Sequence, residues 1–575
     1  MIADYLLENP HRSTLVVRPD KEQLERERQE AERDLAAVSA ALTEEERVRI
    51  AEEQRALEEL QAQPDRPEDI ARLPVLTKDD APREVTHIPV ESTRTSDGVE
   101  VLRHEVFTNG VVYIDLAFSL DGISEELLPY IPLFTTAVTE TGLSDMSYDA
   151  VSNEISLKMG GLNVSAEVSR IKNSEDDAHG GPPADTPHAY LHVRMKCLRE
   201  SLDEALELML RILTDANLGN VERLSTLVQE TRNDYRAAII PGGHSFAALR
   251  AARGISGTAR VEDSWRGIAQ YFFLRTLADG SDGSDGGADP APARGYATGG
   301  LDTGTEGHPA PRLDSLSDVL YALRDSFLVR SRLTAAVTCD AEAGAQVSER
   351  LEHALARLPM GAGLDEYRGL PIGRSEVPRH ESLIVSSAVN YVAVAVQGTK
   401  YGSAEYAAEG ALAHILRTGR LWELIRMKGG AYGAFATTRG LEELFSFVSY
   451  RDPHVLPTIQ AYGQAVDELV DTAPDERTVE LAVISLVGRE QRPLSPGEQN
   501  SFALRWHLLG LTPEMRQAHR DYTLGLAAAA VQQAAQRIKE RLDGAYIAVV
   551  GGRPAIESAA EAVPEFKEHV IEVPV

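Results

Sequence analysis

The chain has 575 residues, of which 43% are hydrophobic, and a formal net charge of −31 at pH 7. This length allows about three or four domains of typical size. The acidic excess argues against nucleic acid and anionic membranes as general partners, because both require basic surface.

The cysteines and the apolar runs bound the cellular setting. Cys197 and Cys339 are the only two cysteines and stand in apolar segments, so neither a disulfide framework nor a cysteine zinc site is predicted. The chain has no run of about 18 apolar residues, so no membrane span is expected. The start, "MIADYLLENPHR", lacks the pattern of a secretory signal. We therefore predict a reduced, cytoplasmic environment.

The first 84 residues divide into two parts. Within residues 1–20, "HRSTLVVRPD" predicts a strand with a turn after it. Residues 21–84 are highly charged, and Thr43 with Glu46 has the spacing of a capping box in the middle of this segment. We predict two antiparallel helices, a helical hairpin, followed by a proline-rich connector. A solvated linker is favoured over a partner-binding coiled coil.

An α+β pattern begins near residue 85. "GVVYIDLAFSLDG" alternates like a strand with one buried face, and "SEELLPYIPLFTTAVTETG" and "YDAVSNEISLKMGG" predict helices. Two stretches near residues 173–187 and 279–311 are rich in glycine, aspartate and proline. Because such a composition cannot bury a core, we expect surface insertions there.

The sequence also repeats itself. "KMGGLNVSAEVSR" (158–170) resembles "RMKGGAYGAFATTR" (426–439), and each follows a predicted helix and leads into alternating residues. A strand–turn–helix unit, seen in "LTAAVTCDAEAGAQVSERLE" and "AYIAVVGGRPAIESAAE", closes both segments. It also occurs in "STLVVRPDKEQLERE", with no module before it. We predict two copies of one α+β module, residues 85–372 and 373–575, and a terminal strand of a missing preceding domain in residues 1–20.

The glycine pair in "RMKGGAYGAFATTRG" (426–440) raises the question of a phosphate-binding loop. Such a loop lies between a strand and a following helix and ends in Gly-Lys-Ser or Gly-Lys-Thr. Here the helix comes first and no such ending follows, so nucleotide binding is disfavoured. From these residues alone, the pair would be a helix C-cap and Tyr432 a half-buried strand residue.

Several segments together resemble one family. "LWELIRMKGGAYGAF", "FSFVSYRDP" and "LSPGEQNSFALRWHLLGLTPEMRQAHRD" resemble the second half of the M16 zinc metallopeptidases, most closely the presequence-protease branch. "NPHRSTLVVRPD" with the charged segment resembles the end of that branch's second domain and its linker. The resemblance implies four α+β sandwich domains in two halves, of which this chain would contain the third and the fourth.

The resemblance also implies where zinc would and would not bind. The first domain of the family carries His-x-x-Glu-His on a helix, and this sequence contains no such motif. The matching helix of the first module has Leu133, Thr136 and Ala137 in its place, and none of them can bind zinc. We therefore expect no metal in this chain and zinc in a complementary N-terminal half. His188 and His192 stand four residues apart, but two ligands without a third do not make a site.

By motif match, the family's cross-cleft arginine and tyrosine correspond to Arg426 and Tyr432. A phenol can donate a hydrogen bond to the oxyanion formed when water attacks a peptide carbonyl, and a guanidinium can hold substrate carbonyls. Gly429, Gly430 and Ala431 would let the backbone turn and approach an extended peptide. The strand that follows would offer an edge for β-augmentation.

Two functions follow from the resemblance. The first is the C-terminal, non-zinc half of a peptidase that degrades unstructured peptides in a closed chamber, with a zinc-bearing half as its partner. The alternative is a catalytically inactive binding or assembly subunit. The arginine–tyrosine pair favours the first, because a scaffold has no need of it. His244 is interpreted as structural, and Tyr450 as an ordinary strand aromatic.

Overall fold

The computed structural model describes residues 2–16, 18, 20, 22–63, 65–170, 186–279, 312–361, 369–373 and 376–575. The chain forms two compact units, Met1–Val75 and Leu76–Val575. Apart from their terminal residues, the two predicted insertions lie outside the described residues.

The unit Met1–Val75 is helical. It contains a π-helical turn at Ala3–Leu7 and three α-helices, α1 (Gln23–Ala41), α2 (Glu44–Ala62) and α3 (Pro67–Ile70). The capping box predicted at Thr43 and Glu46 begins α2. The apolar side chains of α1 and α2 are exposed, among them Leu35, Val38 and Leu60. Neither helix is therefore held by a buried face.

The strand predicted within residues 1–20 does not form. Described residues 8–16 have no regular secondary structure and are almost all exposed. A strand is stabilised by backbone hydrogen bonds to a neighbouring strand, and no described residue of this unit belongs to a strand. The prediction was wrong for this chain because alternation alone supplies no pairing partner.

The unit Leu76–Val575 contains two six-stranded sheets. In the first sheet the order is β1-β2-β6-β3-β5-β4, with β2 and β6 parallel and the other neighbours antiparallel. Its strands are β1 (Glu91–Arg94), β2 (Glu100–Glu105), β3 (Val111–Ser119), β4 (Gly161–Arg170), β5 (Pro187–Leu198) and β6 (Leu333–Cys339).

The second sheet has the order β12-β7-β11-β8-β10-β9, and its first three strands are mutually parallel. The remaining neighbours are antiparallel. Its strands are β7 (His380–Ile384), β8 (Tyr391–Gln397), β9 (Gly433–Arg439), β10 (Leu444–Tyr450), β11 (Tyr546–Gly551) and β12 (Val570–Glu572).

Five strands of each sheet follow the same plan. The order β2-β6-β3-β5-β4 in the first sheet matches β7-β11-β8-β10-β9 in the second, with the same relative directions. The sequence echo therefore falls on equivalent strands, β4 and β9, which are edge strands of their sheets. The repeated strand–turn–helix unit falls on β6 and β11.

Helices cover the sheets. With the first sheet come α4 (Ile131–Glu140), α5 (Tyr148–Lys158), α6 (Leu202–Asp215), α7 (Val221–Ile239), α8 (Gly243–Ala252), α9 (Gly257–Arg266), α10 (Ile268–Asp279), α11 (Leu313–Phe327) and α12 (Gly344–Leu355). With the second come α13 (Ala404–Thr418), α14 (Leu456–Asp471), α15 (Glu476–Glu490), α16 (Pro496–Leu508), α17 (Pro513–Leu524), α18 (Ala528–Leu542) and α19 (Arg553–Ala562). Short 3₁₀ turns lie at Lys78–Asp80, Glu125–Tyr130, Arg199–Ser201, Arg330–Arg332, Ala341–Ala343 and Pro564–Lys567. None of the helices in the described part of the chain combines the length and apolar character needed to cross a bilayer.

The two halves of this unit exchange helices. The helix α8 contacts β8, β10 and β11 of the second sheet, and α16 contacts β2, β3 and β6 of the first. Each sheet thus packs against a helix that lies, in sequence, with the other sheet. The exchange brings residues near 244 next to residues near 432, which sequence distance alone would not suggest.

A buried group of four charges also joins α8 and α9 to β7. Arg250 donates two hydrogen bonds of 2.6 Å to Glu381 and one of 2.7 Å to Asp263. Arg253 donates to Glu381 at 3.0 and 3.2 Å. All four residues are buried. Two cations and two anions balance, so the group is neutral as a whole.

Candidate functional site

The candidate site lies where the chain passes from α13 to the edge strand β9. After α13 the chain forms a π-helical segment, Trp422–Lys428. Gly430 then takes a positive φ of 78°, and its N–H donates to the carbonyl of Arg426 at 3.0 Å. π-Helical turns inside longer helices often mark functional sites. The glycine pair is therefore a helix cap, and this cap also fixes where the next residues emerge.

The two glycines are needed for different reasons. Gly430 adopts the left-handed conformation, which other residues take only with strain. At Gly429 the φ is ordinary, but a β-carbon would stand 2.6 Å from the carbonyl oxygen of Ile425. The sharp turn expected from the sequence is thus present, and side chains are excluded from it.

The neighbouring apolar residues anchor the loop. Ile425 and Ala431 are only 2% and 3% exposed and belong to the core of the second sheet. The N–H of Ala431 donates to the carbonyl of Ile425 at 3.0 Å. The side chain of Ala431, a predicted substrate contact, points into the core. Its place in the site is therefore to hold the loop, with Arg426 and Tyr432 on either side of the anchor.

Arg426 and Tyr432 come together on the outer face of this anchor. The guanidinium carbon of Arg426 lies 5.6 Å from the centre of the Tyr432 ring. Tyr432 packs edge-on against Tyr450 at 5.6 Å between ring centres, and its backbone N–H donates to the carbonyl of Tyr450 at 3.1 Å. Its side chain nevertheless remains 65% exposed. The ring is held while the hydroxyl stays accessible, which a half-buried core tyrosine would not allow.

A cleft of about 460 Å³ opens beside this pair. Its lining is mostly aromatic, with two arginines, and consists of His244, Arg417, Trp422, Arg426, Tyr432, Gly433, Ala434, Phe435 and Tyr450. Sequence reasoning found Arg426 and Tyr432 but missed Arg417, Trp422 and Phe435. Trp422 and Phe435 stand within the quoted motif, so their closeness to the pair in sequence was the available signal.

His244 reaches the cleft from α8, where the sequence suggested only a structural residue. Its ring packs edge-on against Tyr450, with 4.9 Å between ring centres. Burial lowers the pKa of His244, which favours the neutral imidazole. No sequence signal pointed here, because almost two hundred residues separate His244 from Tyr432 and only the helix exchange brings them together.

The strand that follows, β9, lies at the edge of its sheet. Among the described residues it pairs only with β10, from Gly433 opposite Tyr450 to Arg439 opposite Leu444. An edge strand leaves alternate backbone N–H and C=O groups without a strand partner. These groups begin directly after Tyr432, so an extended peptide paired with β9 would pass the arginine–tyrosine pair.

The described residues do not fit a zinc ion. No group of three His, Cys, Asp or Glu side chains in the described ranges could hold a metal. In α4, Leu133 and Ala137 are buried apolar residues. His188 contacts Asp121 at 2.8 Å, and burial lowers the pKa of His192 to about 3. These histidines are fold residues, and this chain offers no metal chemistry through them.

Comparisons with known proteins match nearly the whole chain. A family model for the domain associated with subfamily C of peptidase family M16 matches residues 17–277, and one described as PreP C-terminal domain matches residues 380–542. Presequence protease 1, chloroplastic/mitochondrial, of Arabidopsis thaliana is 29% identical over 579 residues, covering 99% of this chain and 49% of that protein. The mitochondrial presequence protease of Yarrowia lipolytica is 27% identical over 514 residues, covering 89% and 47%. The chain thus spans about half the length of the curated relatives it matches.

A solved structure agrees with the fold. The crystal structure of a peptidase M16 inactive domain from Pseudomonas fluorescens superposes with a TM-score of 0.52 at 15% identity. It covers 81% of this chain and 98% of that chain. At this level of identity the match concerns the arrangement of helices and sheets alone.

Proposed function

Because the chain belongs to the presequence-protease branch of the M16 peptidases and corresponds to their C-terminal half, we propose that it supplies Arg426 and Tyr432 to a peptidase active site. The zinc-binding residues of that site lie in an N-terminal half, either in the same full-length protein or in a separate subunit. The substrates are unstructured peptides, which are degraded in a chamber that the two halves close. In this proposal residues 21–84 are the linker, and residues 85–372 and 373–575 are the third and fourth domains.

The observation that carries the proposal is the exposed tyrosine on a rigid anchor. Tyr432 is 65% exposed although its ring packs against Tyr450 and Arg426. A tyrosine needed only for packing would gain by burying its ring. An accessible hydroxyl in a fixed position suits a hydrogen-bond donor to a reacting group, because donors that are already oriented need no reorganisation during the reaction.

The chemistry of this chain's residues follows from their groups. Hydrolysis of a peptide bond passes through a tetrahedral oxyanion, and the Tyr432 O–H can donate to that oxygen. The Arg426 guanidinium can donate to substrate carbonyls on either side. Backbone groups of β9 can pair with an extended peptide whatever its sequence. Together these groups would position an unfolded peptide without requiring a particular side chain.

The test uses the chain joined to its zinc-bearing half, in one reading frame or in trans. Tyr432→Phe should lower kcat by roughly 10²–10³ if the donor acts in a dry site, with little change in stability, because the ring is kept. Arg426→Ala should lower kcat and raise KM, since a cation on substrate carbonyls acts in the ground state and the transition state alike. Zinc content should not change in either variant.

A matched control is Tyr522→Phe. Tyr522 lies in α17 and is also largely exposed, so the change removes one surface hydroxyl elsewhere and should leave kcat unchanged. Wild-type kcat and KM in both site variants would refute the proposal and favour the inactive binding or assembly subunit. A loss of stability with normal turnover in the folded fraction would show that the pair is only a helix cap and packing.

A further inference from the structure

The cleft beside Arg426 and Tyr432 contains two cations that pair with no described carboxylate. Arg417, in the last turn of α13, and Arg426 both line it. Within the described ranges neither makes an ion pair, although the chain as a whole carries a net charge of −31. Arg417 is half-buried. A partly buried guanidinium in such a setting gains from binding an anion.

The nearby carboxylates are already engaged by other cations. Glu423 lies between Arg417 and Arg426 in sequence, but it pairs with Arg420 and with Lys428, the latter at 2.7 Å. Glu468 also pairs with Arg420. The acidic groups of this segment are thus held on Arg420 and Lys428, and the two arginines of the cleft are left for a ligand.

The surroundings of Arg417 add to the positive potential. The charge of Arg417 contributes, after burial, to lowering the pKa of Arg489. Burial, Arg489 and Arg417 together lower the pKa of His414, so that this imidazole stays neutral. Like charges repel here because no carboxylate of the described residues pairs with Arg417. An anion entering the cleft would relieve this repulsion as well as bind Arg417 and Arg426.

The walls of the cleft are suited to the same ligand. Trp422, Phe435 and Tyr450 are aromatic, and His244 is favoured as neutral because burial lowers its pKa. Apolar walls exclude water and strengthen a charge interaction at their base. A volume of about 460 Å³ is large enough for an amino-acid side chain or a peptide end.

We propose that this cleft is a carboxylate-binding subsite, in which Arg417 with Arg426 binds an anionic group of the peptide near the bond to be cleaved. The inference rests on the proposed function for the peptide nature of the ligand. A carboxylate can come from the C-terminus of a short peptide or from an aspartate or glutamate side chain. Both present the planar pair of oxygens that a guanidinium binds with two parallel hydrogen bonds.

Equilibrium binding to the purified chain tests the subsite without any catalysis. The probes are short fluorescein-labelled peptides of one unstructured sequence without acidic side chains, with either a free carboxylate or an amide at the C-terminus. Fluorescence anisotropy should show about tenfold tighter binding of the free acid, the range expected for a hydrogen bond to a charged group. A third peptide, amidated but with one internal glutamate, identifies which source of carboxylate is preferred.

Variants assign the preference to Arg417. Arg417→Gln should reduce the tenfold preference to less than about twofold, while Arg417→Lys should retain part of it, because an ammonium keeps the charge but not the paired donors. Arg489→Gln is the matched control. It removes the same charge close by, but Arg489 does not line the cleft, so the preference should persist. Thermal melts confirm that each variant is folded.

Two results would overturn the subsite: equal binding of all three peptides by the wild type, or an unchanged preference in Arg417→Gln. The outcome is separable from that of the proposed function. Loss of the preference in Arg417→Gln with normal turnover in Tyr432→Phe would support the subsite and refute the catalytic role of Tyr432. The reverse pattern would leave the catalytic role standing and refute the subsite.

Discussion

Replacing Glu381 by glutamine should destabilise the unit Leu76–Val575 more than any exposed charge change. Glu381 is buried and accepts hydrogen bonds from Arg250 and Arg253. Burial opposes its ionisation, but the two arginines outweigh burial and hold the pKa of Glu381 at about 2, against 4.5 for an ordinary glutamate. The substitution keeps the shape of the side chain and removes one of four balanced charges.

Two estimates give the magnitude. A pKa held at about 2 instead of 4.5 corresponds to roughly 3 kcal/mol of stability at neutral pH. Breaking a buried ion pair from one side costs about 3–5 kcal/mol. An unfolding entropy of about 2.1 cal/mol/K per residue gives roughly 1 kcal/mol/K for a unit of this length, so Tm should fall by roughly 3–5 °C.

Acid should reveal the same charge. The folded-state pKa of Glu381 lies below the unfolded value, so its contribution is complete above about pH 4.5 and is lost as the pH falls toward about 2. The difference in Tm between wild type and Glu381→Gln should therefore be constant near neutrality and shrink below about pH 4.5.

Differential scanning calorimetry over this pH range is the assay, with Glu557→Gln as control. Glu557 is 57% exposed and 3.9 Å from Arg553, and such surface pairs contribute about 0–1 kcal/mol. Equal melting of the two variants at neutral pH would refute the reasoning. So would a difference that does not depend on pH below 4.5.

Three further predictions concern metal, the insertion and the loop. The chain alone should hold no stoichiometric zinc and cleave no peptide, since Leu133, Thr136 and Ala137 stand where the zinc motif would be; about one zinc per chain by elemental analysis, with chelator-sensitive peptidase activity, would contradict this. Deleting residues 280–308, which lie outside the described residues, should leave Tm nearly unchanged, because their composition cannot build a core; a loss of several degrees would mean that they pack against the fold. Gly430→Ala should cost about 1 kcal/mol, because its φ is 78°, whereas Gly463→Ala inside α14, where a β-carbon meets no atom within 4 Å, should be neutral or stabilising; urea unfolding that gives the same change for both would refute the assignment of strain to Gly430.

Local pattern was sufficient for most of the elements. The alternation around Val111–Ser119, the capping box at Thr43 and Glu46, and the helix Tyr148–Lys158 all appear as predicted. The repeat of "MGG" and "KGG" correctly indicated two related modules, and equivalent edge strands follow the two echoes. These features depend on residues close in sequence, where periodicity and capping act directly on the backbone.

Pairing and long-range contacts could not be obtained in this way. The alternating residues in 1–20 looked like a strand, but a strand depends on its partner as much as on its own residues. The site was half visible, since Arg426 and Tyr432 lie in one motif with the glycines. Ala431 was also in that motif, yet its exposure depends on the core beneath it and not on its neighbours in sequence.

The sequence by itself therefore determined the module, the repeat, the missing zinc motif and the arginine–tyrosine pair, because each is encoded in a short stretch. Only the tertiary structure decided that α8 crosses to the second sheet, bringing His244 to Tyr450, and that Arg417 and Arg426 face one aromatic cleft. The physical reason is the exchange of helices between the two sheets. Each sheet buries its second face against a helix from the other half of the sequence, and local propensity carries no information about which distant helix supplies that cover.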